Sequence, residues 1–94
     1  MKFEDWIAAG SPEEAEEYRK RFKMAIANST RRKILEELSK SPRKVEELRA
    51  ELGLDVKLLK YHLDTLEKAD CIVYDGESIR LTKEGEVLAK LVQR

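Results

Sequence analysis

The chain has 94 residues, of which 41% are hydrophobic and 40% carry a charge. This length predicts one domain, and the hydrophobic fraction excludes an intrinsically disordered chain. The 19 basic and 19 acidic residues cancel, which excludes a globally basic packager of nucleic acid. The single cysteine excludes an internal disulfide and is typical of a reducing compartment. No apolar run is long enough to cross a bilayer, so we expect no membrane partner and a cytoplasmic location.

The charges are distributed unevenly along the chain. Residues 1–18 have a net charge of −5, residues 19–49 of +7 and residues 50–94 of −2. A basic middle between acidic ends predicts a positive face on a neutral molecule, although a solvated surface of helix salt bridges explains the pattern equally well. The abundance of Lys and Glu, beside one Asn and one Gln, is typical of a protein from a hot environment.

Apolar periodicity predicts a first helix over about 12–27, because apolar side chains recur there at three- and four-residue spacing. A second helix follows the capping side chain of Asn28 and ends before Pro42. Its buried face consists of apolar residues at the same spacing: Ile34, Leu35 and Leu38. These two helices precede the part of the chain in which we expect the functional residues.

Two short helices are then predicted on either side of a tight turn. The first ends at Gly53, a residue suited to the left-handed conformation that follows a helix. The second, at about 55–69, begins at the cap Asp55. Its inner face consists of Leu59, Leu63 and Leu66. This spacing is that of a helix-turn-helix.

The pattern becomes β-favouring after Ala69. Residues 71–74 and 78–81 flank the dipeptide Asp75-Gly76, which fits a type I′ hairpin turn. Thr82 then caps a last helix. We therefore predict a fold that is mainly α with a small β-hairpin: a winged helix-turn-helix with an extra N-terminal helix and an extra C-terminal helix.

Five segments of the chain are similar to a known family: ANSTRRKIL at 27–35, VEEL at 45–48, LGL at 52–54, YHLDTLEKA at 61–69 and LTKEG at 81–85. In order and spacing they resemble the arsenic-repressor-like (ArsR) winged helix-turn-helix transcription regulators, of archaeal or thermophilic type. The resemblance covers roughly residues 25–90. It implies a transcription regulator that binds double-stranded DNA as a homodimer.

The resemblance implies that the helix at about 55–69 is the recognition helix and enters the major groove. Lys57 and Lys60 can then reach phosphates or a guanine edge, and Tyr61 can bond a phosphate or pack on a sugar. Leu58 stands where the family usually has serine or threonine, and suits a thymine methyl group or a protein contact. The DNA-binding residues that we predict are Lys57, Lys60, Tyr61, Val56, Leu58, Arg43, Lys44 and Arg80.

The last three of these residues lie outside the recognition helix. Arg43 and Lys44 precede the helix before it, where backbone amides and positive side chains can bind one phosphate together. Arg80 is the only cation of a wing whose tip, 75–77, is short and acidic. Because acidic side chains repel phosphates, we expect the wing to contribute little to DNA binding.

The resemblance also implies that the terminal helices pair in a dimer. Each has an apolar face that so small a domain cannot easily cover. The dimerisation residues that we predict are Tyr18, Phe22, Leu88 and Leu91. The chain then divides into an N-terminal arm and dimerisation helix (1–27), a winged helix-turn-helix core (28–82) and a C-terminal helix on the dimer seam (83–94).

Residues for metal or covalent chemistry are scarce. Cys71, the single thiol, stands where an aliphatic residue is usual, which favours a buried structural thiol. His62, the single imidazole, lies on the inner side of the recognition helix and is interpreted as a core or helix-contact histidine. Soft metals need several such ligands. We predict no metal site, no cofactor and no small-molecule or metal effector.

The sequence is compatible with two functions, whereas catalysis finds no support. No serine is placed beside a histidine base, and no glycine-rich phosphate loop occurs, so an enzyme is not indicated. The first function is a DNA-binding transcription regulator. The alternative is a winged-helix protein-protein interaction module with little or no DNA binding, which the acidic wing, the neutral net charge and Leu58 favour.

Overall fold

The computed structural model describes residues 12–93, and within this range the chain forms five helices and three strands. In chain order these are α1 (Pro12–Ile26), α2 (Ser29–Lys40), β1 (Arg43–Lys44), α3 (Val45–Leu52), α4 (Val56–Lys68), β2 (Ile72–Asp75), β3 (Ser78–Leu81) and α5 (Lys83–Val92). The predicted order of four helices, a hairpin and a last helix is confirmed. The predicted N-terminal arm, residues 1–11, lies outside the described residues.

Polar side chains begin three of the helices as predicted. Oδ1 of Asn28 accepts hydrogen bonds from two backbone N–H groups in the first turn of α2, at 2.8 and 3.3 Å. Asp55 caps α4 in the same way. The hydroxyl of Thr82 caps α5 and accepts from the N–H of Gly85 at 3.1 Å. Because the first N–H groups of a helix have no partner inside it, these bonds fix where each helix begins.

The sequence does not predict the short strand β1. It pairs antiparallel with β3, with Arg43 opposite Ile79, and the sheet has the order β1-β3-β2. Two residues between Pro42 and a helix are too few to show the period-two alternation of a strand. The pairing is therefore a tertiary contact, and it joins the wing to the start of α3.

The predicted hairpin turn is wrong by one residue and in its type. Asp75 pairs with Ser78, so the two loop residues are Gly76 and Glu77 rather than Asp75 and Gly76. Gly76 has a φ of +65°. Glu77 has no positive φ, because Asp70 is the only non-glycine residue of the described chain that has one. Positive φ at the first loop position alone is the pattern of a type II′ turn, whereas type I′ needs it at both positions.

One hydrophobic core joins all five helices to the sheet. Helix α2 lies at its centre and packs against α1, α3, α4, α5 and β3. The largest fully buried side chains are Ile34, Leu35, Leu48, Leu59, Leu63, Leu66, Ile72, Ile79, Leu88 and Cys71. Gly85 lets α5 lie against the carbonyl of Cys71, because a Cβ at this position would collide with that oxygen. Over residues 12–93, no helix combines the length and the apolar character that crossing a membrane requires.

Candidate nucleic-acid interface

The turn between α3 and α4 sets the position of α4. Helix α3 ends at Gly53, whose φ of +64° lies in the left-handed region that a residue with a side chain adopts only under strain. The N–H of Leu54 donates to the carbonyl of Arg49 at 3.2 Å, which closes the last turn of α3. The carboxylate of Asp55 accepts from the N–H of Lys57 at 3.0 Å and starts α4. The predicted helix-turn-helix is therefore confirmed.

Helix α4 buries one side and exposes the other. The buried side consists of Leu59, Leu63 and Leu66, which fixes the rotation of the helix about its axis. On the other side, Val56 is 37% exposed to solvent, Leu58 45% and Tyr61 62%. The two lysines of the same segment are also exposed. The first two turns of α4 thus bring together five predicted residues: Val56, Lys57, Leu58, Lys60 and Tyr61.

The exposed start of α4 carries two lysines whose ammonium groups form no ion pair within residues 12–93. Within the part of the chain that the structure describes, no ion pair joins Lys57 or Lys60 to an acidic side chain. Farther along the helix, Lys68 pairs with Asp64 at 3.0 Å. Residues 56–61 have a net charge of +2 and residues 62–68 of −1, with His62 neutral. The positive potential of α4 therefore lies at the end beside the turn.

A hydrogen bond between buried side chains ties α4 to α2. Nη1 of Arg31, which is 8% exposed, lies 3.1 Å from Nδ1 of His62, which is 4% exposed. Nε of Arg31 also donates to the carbonyl of Met24 in α1, at 3.1 Å. Burial lowers the pKa of His62, and the charge of Arg31 lowers this pKa further. The imidazole is therefore neutral and accepts the bond, as a helix-contact histidine should.

The structural role of Arg31 is not predicted from the sequence. It stands in a run of three basic residues, 31–33, at the start of a helix, where a solvated surface is the usual expectation. Its two acceptors are 7 and 31 residues away in the chain. Only the fold brings them together, so no local pattern in the sequence signals that Arg31 connects α1, α2 and α4.

The predicted phosphate contact Arg43 is engaged in ion pairs. Its side chain is 15% exposed, and its Nε lies 2.8 Å from Oε1 of Glu51. A second carboxylate, that of Glu37, lies 3.9 Å from its Nη2. Arg43 also donates to the backbone carbonyl of Ser41 at 2.9 Å. It therefore holds the α2–β1 connection against α3, and its charge is already compensated by two carboxylates.

The remaining two predicted cations lie at the wing. Nζ of Lys44 is 3.6 Å from Oε2 of Glu77 at the wing tip. Nε of Arg80 is 3.9 Å from Oδ2 of Asp75. All four side chains are more than half exposed, so both pairs are weak and exchangeable. The acidic wing tip thus forms ion pairs with both nearby cations.

Known regulatory proteins share this helix-turn-helix and wing. The profile of the bacterial regulatory proteins of the arsR family matches residues 28–73. The chain carries an ArsR-family domain. Its structure is similar to the crystal structure of an ArsR-family transcriptional regulator, with a TM-score of 0.66 and 25% identity, covering 81% of this chain and 82% of that one.

A second solved structure has the same fold as this chain. It is the crystal structure of a MarR-family protein of Mycobacterium tuberculosis, with a TM-score of 0.66 and 22% identity. The match covers 93% of this chain and 75% of that one. No curated protein matches the sequence. The fold class predicted from the sequence, a winged helix-turn-helix with additional helices, is confirmed.

An apolar groove lies between α1 and α5, beside the core of the ArsR-family domain. Its volume is about 460 Å³, and its lining consists of Arg19, Phe22, Lys23, Ile26, Val87, Leu88 and Leu91. Among the predicted dimerisation residues, Phe22 is half-buried and Leu91 is 44% exposed. Leu88 is 2% exposed and belongs to the core of its own chain. The side chain of Tyr18 lies outside the described part of the structure.

The donor residues in the described part of the chain do not fit a metal site. Burial raises the pKa of Cys71 to about 12, and Glu84 and Asp70 contribute to this rise. The thiol is fully buried, as predicted, and His62 is already bonded to Arg31. Among residues 12–93, no three His, Cys, Asp or Glu side chains converge in a way that could hold a metal ion. A soft metal would find one protonated thiol here.

Proposed function

We propose that the chain is a cytoplasmic transcription regulator that binds double-stranded DNA as a homodimer and acts without catalysis. The match of residues 28–73 to the arsR family of bacterial regulatory proteins supports DNA binding and regulation. A solved relative of similar length is a transcriptional regulator. The geometry of α4 supports the finer part of the proposal, in which the first two turns of this helix enter the major groove.

The observation that carries this proposal is the pair of unpaired lysines on the exposed start of α4. A helix fits the major groove of B-form DNA, and the N-terminal residues of a recognition helix contact the base edges. Lys57 and Lys60 can each displace counterions from a phosphate or donate to a guanine edge. Tyr61 is placed to bond a phosphate. We assign weaker flanking contacts to Arg43, Lys44 and Arg80, which would have to exchange a carboxylate partner for a phosphate.

We propose a second copy of the chain as the occupant of the groove between α1 and α5. Phe22, Ile26 and Leu91 would leave water on both copies, in a self-complementary two-fold contact. Such a dimer presents two recognition helices, which matches operators whose half-sites are about 34 Å apart, one turn of DNA. Dimerisation therefore serves DNA binding directly, because one helix alone reads too few base pairs.

Salt-dependent DNA binding tests the proposal. Fluorescent duplexes selected by the wild-type protein from a random library are titrated at low and moderate salt, and the dissociation constants are measured by anisotropy. For the Lys57→Ala/Lys60→Ala variant we expect an affinity at least about tenfold lower and a salt slope smaller by about two, one for each lost phosphate contact. The Lys20→Ala/Lys90→Ala variant removes the same charge from exposed positions of α1 and α5. We expect it to keep the wild-type slope.

A second candidate, a protein-protein interaction module, is favoured by the exposed aliphatic surface of Val56 and Leu58. The same titration separates the two functions. A module of this kind shows only weak background affinity for every duplex, and the two double-lysine variants then behave alike. Equal losses in both variants would contradict α4 as the recognition helix.

A further inference from the structure

Phosphate binding does not explain the aliphatic side chains at the start of α4. Val56 and Leu58 are the first and third residues of the helix, and they are 37% and 45% exposed to solvent. Neither belongs to the cluster of buried residues that forms the hydrophobic core. A single exposed aliphatic residue is ordinary. Here two of them flank Lys57 in the first turn of the helix that we propose enters the major groove. An apolar group of the DNA would cover them there.

Helix α4 also lacks the side chains that recognise adenine. Its residues, VKLLKYHLDTLEK, include no Asn, Gln or Arg. In the major groove, adenine is read by the paired donor and acceptor of an Asn or Gln amide, and guanine by Arg or Lys. Thymine presents a 5-methyl group to apolar side chains. The exposed residues of 56–61 therefore suit guanine, through the lysines, and thymine, through Val56 and Leu58.

We propose that Val56 and Leu58 recognise thymine methyl groups, so that the half-site is specified by thymines next to guanine and not by hydrogen bonds to adenine. This inference rests on the proposed function and names the base chemistry that it uses. Binding removes both the methyl group and the aliphatic side chain from water, which is the same driving force that forms the core. The neighbouring lysines hold the helix in the groove while these contacts are made.

The first arm of the test changes the DNA and leaves the protein intact. A duplex selected by the wild-type protein from a random library is synthesised once with thymine and once with deoxyuridine, which lacks only the 5-methyl group. We expect the deoxyuridine duplex to bind about three- to fivefold more weakly for each contacted methyl, the change that burial of one such carbon produces. We also expect thymines in the selected half-sites.

The second arm assigns the effect to residues. In the Val56→Ala/Leu58→Ala variant, the ratio of the two dissociation constants is expected to fall to about one. Both side chains are exposed, so the variant should keep its fold, which thermal melting checks. Lys60→Ala is the matched control on the same helix. It should weaken binding to both duplexes and keep the wild-type ratio between them.

Each outcome decides the proposal. Equal binding of the two duplexes by the wild-type protein overturns it and leaves the proposed function standing. A ratio that survives in Val56→Ala/Leu58→Ala also overturns it, because another residue or the shape of the DNA then senses the methyl groups. A wild-type protein that binds no duplex above background overturns the proposed function, and this inference with it.

Discussion

The hydrogen bond between Arg31 and His62 helps to hold α4 against the rest of the fold. A guanidinium has donors only, so the imidazole must accept from it and remain neutral. Arg31 also donates to the carbonyl of Met24, which places one side chain between α1, α2 and α4. Both partners are buried, so the loss of either one leaves a polar group without a hydrogen bond. Arg31 therefore adds a polar connection between α4 and α1, the helix of the proposed dimer seam, to their packing in the core.

We expect the stability of the protein to fall at mildly acidic pH because of His62. Its pKa in the folded state is lowered from the ordinary value of 6.5, so the unfolded state binds more protons as the pH falls below 6.5. The stabilisation is complete above 6.5 and is lost as the pH falls through the folded-state pKa. Urea unfolding of the wild type at pH 7.5 and pH 5 measures this loss.

The variant His62→Gln is the control for this pH dependence. It keeps a side-chain acceptor for Arg31 and removes the only histidine of the sequence. Its stability should change less between the two pH values than that of the wild type, although we expect the variant to be less stable than the wild type at pH 7.5. Carboxylates titrate in both proteins alike, so an equal loss in the two proteins would contradict the assignment to His62.

The start of α4 depends on its cap. The carboxylate of Asp55 accepts from the N–H groups of Lys57 and Leu58, at 3.0 and 3.4 Å. We expect Asp55→Ala to lower the free energy of unfolding by about 1 kcal/mol, because these N–H groups lose their acceptor. Asn caps helices as well as Asp does, so Asp55→Asn should remain near the wild type. Chemical denaturation of the three proteins checks this, and equal losses in both variants would point to charge rather than capping.

Helices were predictable here because their signals are local. The caps Asn28, Asp55 and Thr82 are adjacent to the helices that they start, and the apolar spacing within each helix marks its buried side. The strand β1 and the hairpin turn depend on pairing with β3, which no local pattern specifies. A glycine marked the turn correctly, but the register of the strands decided which loop position it occupies.

In the candidate site, too, local sequence signals were predictive and tertiary contacts were not. Once Leu59, Leu63 and Leu66 are assigned to the core, helical geometry places the side chains between them outward, so the exposed residues of α4 could be predicted. The engagement of Arg43 with Glu51 could not, because long charged side chains find their partners only in the folded chain. The sequence therefore predicts the recognition face better than its flanks.

At the scale of the whole molecule, ion pairs involve many of the basic residues in the middle of the chain. At least six of the eleven basic residues in 19–49 are in ion pairs: Arg19, Arg21, Lys40, Arg43, Lys44 and Arg49. Several of these pairs are made within one helix, at three- or four-residue spacing. The alternative of a solvated surface of salt bridges therefore describes about half of the basic residues in this segment, and the main proposed DNA-binding charge lies outside it, on α4.

We expect Leu91→Glu to separate the dimer into monomers. Leu91 lines the groove between α1 and α5 and is 44% exposed, so the folded monomer tolerates the change, whereas a buried seam does not tolerate an unpaired carboxylate. Lys90→Glu adds the same acid one residue away, outside the groove lining, and should stay dimeric. Light scattering at micromolar concentration measures both masses. A wild-type monomer, or a dimer that persists in Leu91→Glu, would contradict the proposed seam.

The exposed start of α4 is the surface that we propose enters the DNA groove. Titration of the ¹⁵N-labelled protein with a selected duplex, followed by amide chemical shifts, tests it residue by residue. We expect the largest shifts at residues 55–61, with smaller ones at Lys44 and Arg80. Amides of 55–61 that stay unchanged while the duplex is bound through another surface would contradict the account.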